Sequence, residues 1–206
     1  MRVVLLTRQE SAFDQSLAEA FKREGYRVFA VEGDLEKARA LVEKEAGKID
    51  LYVDTSDLRH AGDHFTLQDG LDEGIVRDVY EANVLWPMRA LETFLPLLDA
   101  GEGKRLCFVT SAQASINQTR DIGGYAYKLS KAAMHNFYQM IANKLAPSGY
   151  TFRVYDPMHG EIAPDPAAEG AFHYFVRRRG TERQNPLRDD ENRLVFRDAL
   201  GREHTW

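Results

Sequence analysis

Short apolar runs alternate with amphipathic segments of helical length along nearly the whole chain, and this alternation most limits what the chain can fold into. The runs are of strand length, roughly 4–8 residues. They lie at residues 3–7, 27–31, 51–53, 106–110 and 152–155, with a last candidate at 193–197. The amphipathic segments lie at 12–24, 35–46, 71–98, 127–145 and 167–178. This order predicts an α/β fold in which helices cover both faces of a parallel sheet.

Composition limits the number of domains and the kinds of partner. The 206 residues are 44% hydrophobic, so we expect residues 1–206 to form a single domain. The 27 basic and 32 acidic residues give a net charge of −5, which predicts no nucleic-acid partner. A basic cluster at 176–183 is more typical of a solvated helix end, and 185–192 is predicted to be a loop.

The single cysteine, Cys107, cannot form an internal disulfide. The chain opens on a strand-like segment without a signal-peptide pattern, and it has no apolar run of about 18 residues. We therefore expect a cytoplasmic protein with no membrane partner.

Tyr127 and Lys131 are four residues apart at the start of the segment 127–145, so both side chains lie on one helical face. A nearby cation favours phenolate, and we expect Lys131 to lower the pKa of Tyr127 from its usual value of about 10. Tyr127 could then exchange a proton with a substrate hydroxyl or carbonyl. The spacing alone is a weak signal, because a chain with nine tyrosines can contain such a pair by chance.

Three neighbouring stretches strengthen the signal: FVTS at 108–111, YEANVLWPMRA at 80–90 and SKAAMHNF at 130–137. With them the sequence resembles the short-chain dehydrogenase/reductase family, and SAQASINQTRDIGGYAYKLSKAA at 111–133 is most similar to its C-factor-like branch. The resemblance implies a three-layer, Rossmann-type, doubly wound parallel sheet. Only one helix fits between the second strand and Leu51, so we expect one strand–helix unit of the usual fold to be missing.

The resemblance implies that Asn83, Ser111, Tyr127 and Lys131 are the catalytic residues. Tyr127 would be the general acid/base and Ser111 would hydrogen-bond the reacting oxygen. Lys131 would bind the nicotinamide ribose, and Asn83 would hold a proton-relay water. These roles suit hydride transfer to a carbonyl, which needs a proton donor and a partner for the oxyanion. The implied function is NAD(P)(H)-linked carbonyl reduction or alcohol oxidation of a small molecule.

The residues expected to contact the cofactor are Thr7, Arg8, Ser11, Glu32, Lys131 and Pro157. The family has three glycines in its first turn, where the backbone approaches the pyrophosphate at a helix N-terminus. Residues 7–14 (TRQESAFD) contain none. A carboxylate at Asp14, about 4 Å from a phosphate, would cost on the order of 4 kcal/mol of binding free energy unless it points away.

Two further stretches depart from the family's pattern. Residues 54–57 are DTSD where the family has Asn-Asn-Ala-Gly, and the glycine that follows Pro157 in the family is displaced to Gly160. The choice between NAD and NADP stays open, because Arg8 favours a 2′-phosphate and Glu32 disfavours one.

The departures leave other hypotheses open. One is a catalytically silent relative that binds a small molecule or partner protein through the remaining cleft. Another is an enzyme that uses the same side chains for proton transfer without a nucleotide. The resemblance also implies a homo-oligomer that pairs through the helical segments 86–98 and 137–145. His60, Asp63 and His64 have a metal-compatible spacing, but their segment is loop-like and we expect no metal site.

Overall fold

The computed structural model describes residues 1–31, 33–177, 190–191 and 193–206, and these residues form a seven-stranded sheet flanked by helices. The strands are β1 (Val3–Leu6), β2 (Arg27–Ala30), β3 (Leu51–Asp54), β4 (Arg105–Val109), β5 (Thr151–Asp156), β6 (Phe196–Asp198) and β7 (Glu203–His204). The strand order is β2-β1-β3-β4-β5-β6-β7. All neighbouring pairs are parallel except β6 and β7. The predicted α/β class is confirmed.

The described helices follow the amphipathic segments of the sequence. They are α1 (Ala12–Arg23), α2 (Leu35–Glu45), α3 (Glu73–Tyr80), α4 (Trp86–Asp99), α5 (Tyr125–Leu145) and α6 (Pro164–Val176). Alternate residues of a strand point to opposite faces, and β1 illustrates the result. Val3 and Leu5 join the core formed with α4 and α5, whereas Val4 and Leu6 join the core formed with α1 and α6. Two apolar cores therefore lie between three layers.

The long helical segment that precedes β4 does not end at Pro87. Helix α3 passes into a single π turn at Glu81–Leu85 and then into α4, with Pro87 in the first turn of α4. Proline lacks a backbone N–H, and a π turn changes the hydrogen-bond ladder where that donor is missing. The predicted segment 71–98 is thus disturbed next to Pro87, and the disturbance takes the form of a π turn that includes Asn83.

The last parallel strand is displaced from its predicted position at 193–197. It occupies Phe196–Asp198, because these residues pair with Val154–Asp156 of β5 on one side and with β7 on the other. Between β2 and β3 the described residues contain one helix, α2, and β2 is an edge strand. That a strand–helix unit is missing relative to the family stays a prediction.

Some predicted features fall on residues that are not described. Glu32, most of the basic cluster at 176–183 and nearly all of the loop at 185–192 lie outside the described residues. In the described part of the chain, no helix combines the length and the apolar character needed to cross a bilayer.

Candidate active site

Side chains from several loops meet at the carboxyl edge of the sheet. The loop after β3 carries Asp57 and Arg59, Ser111 follows β4, and helix α5 carries Tyr127 and Lys131. In a parallel sheet the carboxyl ends of all strands lie at the same edge, which is where α/β proteins bind ligands. The fold thus brings together residues that are up to 74 positions apart in the sequence, from Asp57 to Lys131.

Asp63 positions the start of α5. Gly124 precedes the helix with a φ of 72°, and its lack of a side chain leaves the first turn without a cap of its own. The Asp63 carboxylate instead accepts the backbone N–H groups of Ala126 (3.0 Å) and Tyr127 (2.8 Å). A carboxylate at a helix N-terminus is also favoured by the helix dipole. Asp63 therefore holds the backbone that carries Tyr127, a role that its sequence neighbours did not suggest.

The Asp57 carboxylate contacts three other side chains of the site. Its Oδ1 accepts the Tyr127 hydroxyl at 2.6 Å and lies 3.1 Å from the Lys131 Nζ. Its Oδ2 accepts Arg59 Nε at 3.1 Å. Lys131 also donates to the backbone carbonyl of Ser56. One carboxylate is therefore shared by two cations and a phenol.

Arg59 contacts Tyr127 directly. Its Nη2 donates to the Tyr127 hydroxyl oxygen at 2.7 Å, and its guanidinium carbon lies 4.3 Å from the centre of the tyrosine ring. The hydroxyl thus donates to Asp57 and accepts from Arg59. Neither contact was predicted from the sequence, although an acid at position 57 in place of a glycine was the signal that this loop had changed.

These contacts decide how the two acids of the site titrate. Burial and then the charge of Asp57 raise the pKa of Tyr127 well above its usual value, while the charge of Arg59 and the Ser111 hydroxyl act to lower it. The sequence predicted a net lowering of the tyrosine pKa; in this arrangement burial and the carboxylate outweigh the opposing groups, and the pKa is raised. Burial also acts to raise the pKa of Asp57, but Lys131 and Arg59 bring it well below its usual value.

The four predicted catalytic residues fall into two groups. Ser111 is buried within hydrogen-bonding reach of Tyr127, and its Oγ accepts the backbone N–H of Gln113 at 3.3 Å. Asn83 lies behind them in the π turn, where its side chain bonds both backbone groups of Leu58 at 2.7 and 2.9 Å and the Ser130 hydroxyl at 3.1 Å. Asn83 thus ties the Asp57 loop to α5, and its water-holding role stays a prediction.

The first-turn residues that were predicted to bind the cofactor differ in how far their side chains already bond to other groups of the protein. The Thr7 hydroxyl is buried, donates to Asp54 at 2.9 Å and accepts from Thr55 N at 3.0 Å. Ser11 is the N-cap of α1. Arg8 is partly exposed, lies 3.6 Å from Glu10 and stacks 5.5 Å from the centre of the Trp86 ring. Of the three, Arg8 is best placed to contact a ligand.

Asp14 folds back onto the N-terminus of α1. Its carboxylate accepts Ser11 N at 3.0 Å while its own N–H donates to Ser11 Oγ at 3.1 Å, a reciprocal capping box. Burial raises the pKa of Asp14, although these hydrogen bonds act against the rise. Asp14 is 4% exposed, and its carboxylate is held at the first turn by these hydrogen bonds.

At the other end of the site, Pro157 is buried directly after β5. Asp156 precedes it and accepts Ala112 N and Met158 N, each at 2.7 Å. His159 Nε2 lies 3.9 Å from Asp57, and burial lowers the pKa of His159. A neutral imidazole therefore borders the site at neutral pH.

The residues present fit a nicotinamide dinucleotide at its ribose end. A hydroxyl and an ammonium stand side by side at Tyr127 and Lys131, which matches the ribose contact that the resemblance implies. Arg8 supplies a cation near the α1 N-terminus, where the Asp14 carboxylate also lies. Asp57 contacts Tyr127 and Lys131, the two residues expected to bind the ribose, and would compete with the cofactor for them.

A pocket of about 470 Å³ opens in front of Tyr127. Its walls come from the loop that follows Arg59, from the turn before α5, and from α5 itself. The polar side chains that line it include Arg59, His60, Asp63, Asp121, Tyr127 and Lys128. Its size is typical of small-molecule sites.

A doubly wound parallel sheet with a tyrosine–lysine pair at its carboxyl edge defines the class of NAD(P)-dependent, Rossmann-type oxidoreductases. The chain belongs to the short chain dehydrogenase family, whose model matches residues 1–167. This assignment confirms the resemblance that the sequence suggested.

The relatives agree with the family assignment. The C-signal of Myxococcus xanthus is 30% identical over 133 residues, which are 62% of this chain and 76% of that protein. The other curated relatives align over half or less of their own lengths. The carbonyl reductase Sniffer of D. melanogaster has a similar fold (TM-score 0.78, 15% identity, 100% of both chains). So does a carbonyl reductase from Pseudomonas aeruginosa PAO1 solved with NADP (TM-score 0.75, 16% identity, 100% of both chains).

Proposed function

We propose that this protein is an NAD(P)(H)-linked oxidoreductase that reduces a carbonyl group of a small molecule, with Tyr127 as the proton donor. The observation that carries the proposal is the position of Tyr127, which lines the pocket, shares the Asp57 carboxylate with Lys131 and lies within hydrogen-bonding reach of Ser111. When bound, the cofactor supplies the hydride. The chain's own residues orient the carbonyl and deliver the proton, and Ser111 hydrogen-bonds the reacting oxygen.

The protonated phenol of Tyr127 is the form that carbonyl reduction requires. A phenol whose pKa lies well above its usual value keeps its proton at neutral pH. In that form it can donate a proton to a carbonyl oxygen, whereas alcohol oxidation needs it as a base. Arg59 adds a second donor next to the reacting oxygen. The similarity in fold to two proteins named carbonyl reductases also supports this direction.

A second candidate function is a catalytically silent protein that binds a small molecule or a partner protein through the same cleft. The observation that favours it is the Asp57 carboxylate, which holds both Tyr127 and Lys131. A dinucleotide would have to displace Asp57, and the first turn contains no glycine that would let its backbone approach the pyrophosphate.

A titration with NADPH and NADH separates these functions. Binding is followed by calorimetry on the unchanged protein and on Asp57→Gly, and cofactor oxidation is then measured with a panel of aldehydes and ketones. The proposal expects a micromolar dissociation constant and turnover that Tyr127→Phe abolishes. Tyr80→Phe, a change on α3, serves as the matched control. Binding only by Asp57→Gly, with no turnover by the unchanged protein, would favour the silent protein.

The protein is also proposed to be a homo-oligomer. The resemblance implies pairing through α4 and α5, and both helices expose large apolar side chains, among them Met88, Leu129 and Met140. Light scattering tests this expectation. Cytoplasmic location and the absence of nucleic-acid partners stay predictions.

A further inference from the structure

We infer that the substrate of this site is a 2-oxo acid, whose carboxylate binds Arg59 while its keto oxygen receives the proton of Tyr127. The inference rests on the proposed function and adds the substrate class. Arg59 is the residue that would determine this specificity, and it acts through the hydrogen-bond donors that its neighbours leave unused.

The guanidinium of Arg59 is only partly occupied. Arginine has five N–H groups. Nε donates to Asp57 and one N–H of Nη2 donates to Tyr127. Within the described part of the chain, Nη1 and the second N–H of Nη2 donate to no acceptor. The side chain is 39% exposed and lines the pocket, so these donors are accessible to a ligand. The unused N–H groups of Nη1 and Nη2 can donate to the two oxygens of a carboxylate.

The other charged groups of the pocket are already balanced. Lys128 lies 2.7 Å from Asp121 and donates to the backbone carbonyl of Gly123. Both oxygens of Asp63 accept backbone N–H groups of α5. His60 Nδ1 accepts the backbone N–H of Gly62 at 3.0 Å. The acids of this pocket are thus satisfied, and donors remain.

The charged groups behind the pocket form one cluster of cations and carboxylates. Asp57 contacts two cations, Arg59 and Lys131. Asp156 also acts on Arg59, and Asp54 acts on Lys131. Arg59 is the cation of this cluster that lines the pocket, so the anionic group of a substrate would bind there.

The position of Arg59 limits where the anionic group can be attached. Nη2 lies 2.7 Å from the Tyr127 hydroxyl oxygen, so the arginine and the proton donor are immediate neighbours. An oxygen that accepts the Tyr127 proton therefore lies next to the guanidinium. A carboxylate bonded to the reacting carbon itself, as in a 2-oxo acid, is then within reach of the guanidinium. The pocket volume of about 470 Å³ leaves space for a side chain on the other side of the carbonyl.

The reaction that follows is balanced with NAD(P)H as the reductant. A hydride from NAD(P)H forms a C–H bond at the keto carbon, and the electron pair of the C=O π bond takes the proton of Tyr127. The product is a 2-hydroxy acid together with NAD(P)⁺. The phenolate of Tyr127 regains its proton from solvent.

A matched pair of unreactive ligands tests the carboxylate contact without turnover. Oxamate and oxamide have the same heavy-atom skeleton, but only oxamate is charged. Calorimetry on the full chain, with and without NADPH, should give tighter binding of oxamate than of oxamide. A charged hydrogen-bond pair contributes about 1.5–3 kcal/mol, so Arg59→Gln should weaken oxamate binding about 10- to 100-fold and oxamide binding less than about threefold. Arg59→Lys should restore part of the difference, and Arg77→Gln, an exposed site on α3, should change neither.

The inference is overturned if the two ligands bind equally, if neither binds, or if Arg59→Gln weakens both to the same extent. Kinetics with pyruvate and its neutral amide separate this inference from the proposed function. Reduction of neutral carbonyls without a preference for pyruvate would refute the substrate class and leave the reductase function standing. Charge-dependent binding of oxamate without oxidation of NADPH by any carbonyl compound would refute the reductase function and retain the anion pocket.

Discussion

Replacing Asp57 with asparagine removes the negative charge next to the Tyr127 hydroxyl, and we expect it to lower the pKa of that tyrosine. The carboxylate contributes to the raised pKa of Tyr127 by repelling the phenolate and by accepting the phenol proton. Asparagine keeps the size of the side chain and loses its charge. Lys131 and Arg59 also lose their shared counter-ion, and two uncompensated cations act on the tyrosine in the same direction.

The distance between the groups sets the magnitude. Tyr127 Oη and Asp57 Oδ1 are 2.6 Å apart. At this separation two unit charges repel by about 1.6 kcal/mol even at the dielectric constant of bulk water, and by about 6 kcal/mol at an effective dielectric constant of about 20. Because about 1.4 kcal/mol corresponds to one pH unit, the titration midpoint of Tyr127 should fall by at least about one pH unit in Asp57→Asn.

The measurement needs neither substrate nor cofactor. Protein with ¹³C-labelled tyrosine is titrated by NMR, and the Tyr127 ring resonance is assigned by its disappearance in Tyr127→Phe. In the unchanged protein this resonance should stay at its phenol position up to the highest pH at which the protein is folded. Asp57→Asn should bring the transition into the accessible range, while Asp78→Asn, an exposed change on α3, should not.

An unchanged or higher midpoint in Asp57→Asn would refute the reasoning, because the carboxylate would then not govern the phenol. A reductase that uses Tyr127 as its acid should show the same shift in the alkaline limb of its pH–rate profile, since the proton donor exists only below its pKa. Thermal unfolding of both variants checks that the titrating protein is folded.

Three further predictions concern binding and stability. Arg8→Gln should raise the dissociation constant of NADPH about tenfold by calorimetry, because it removes a cation near the α1 N-terminus; no change would place the phosphates elsewhere. Ser11→Ala should lower the free energy of unfolding by about 1 kcal/mol in urea, since it removes the N-cap that pairs with Asp14; a stability equal to that of the unchanged protein would contradict the capping box. Glu191→Gln should cost about 3 kcal/mol of unfolding free energy, because Arg105 and Arg153 donate to this carboxylate at 2.5–2.7 Å and are both buried; a loss no larger than that of the exposed Glu43→Gln would show that the ion pairs are not needed.

The order of helices and strands could be predicted from the sequence because it depends on local periodicity. Apolar runs of strand length and amphipathic segments of helical length indicate which faces are buried, and this pattern does not depend on which distant segment covers each face. The spacing of Tyr127 and Lys131 on α5 is equally local. Ser111 could be located because it directly follows a strand, and the carboxyl ends of parallel strands share an edge. The displacement of the last strand to Phe196–Asp198 was not predictable, because its position depends on its register with β5.

The functional state of the site was decided by contacts between segments far apart in the chain. Asp57 and Arg59 reach Tyr127 from 70 and 68 positions away, and Asp63 caps α5 from a distant loop. No pattern within one segment reports such contacts, so the sequence suggested a cation that lowers the tyrosine pKa, and the structure supplied a carboxylate that raises it. Burial also depends on contacts between distant segments, since only the packed protein removes Tyr127 and Lys131 from water. Residue types and their local spacing define which groups are available for chemistry, whereas the packing of distant segments sets which of them hold a proton and which remain open to a ligand.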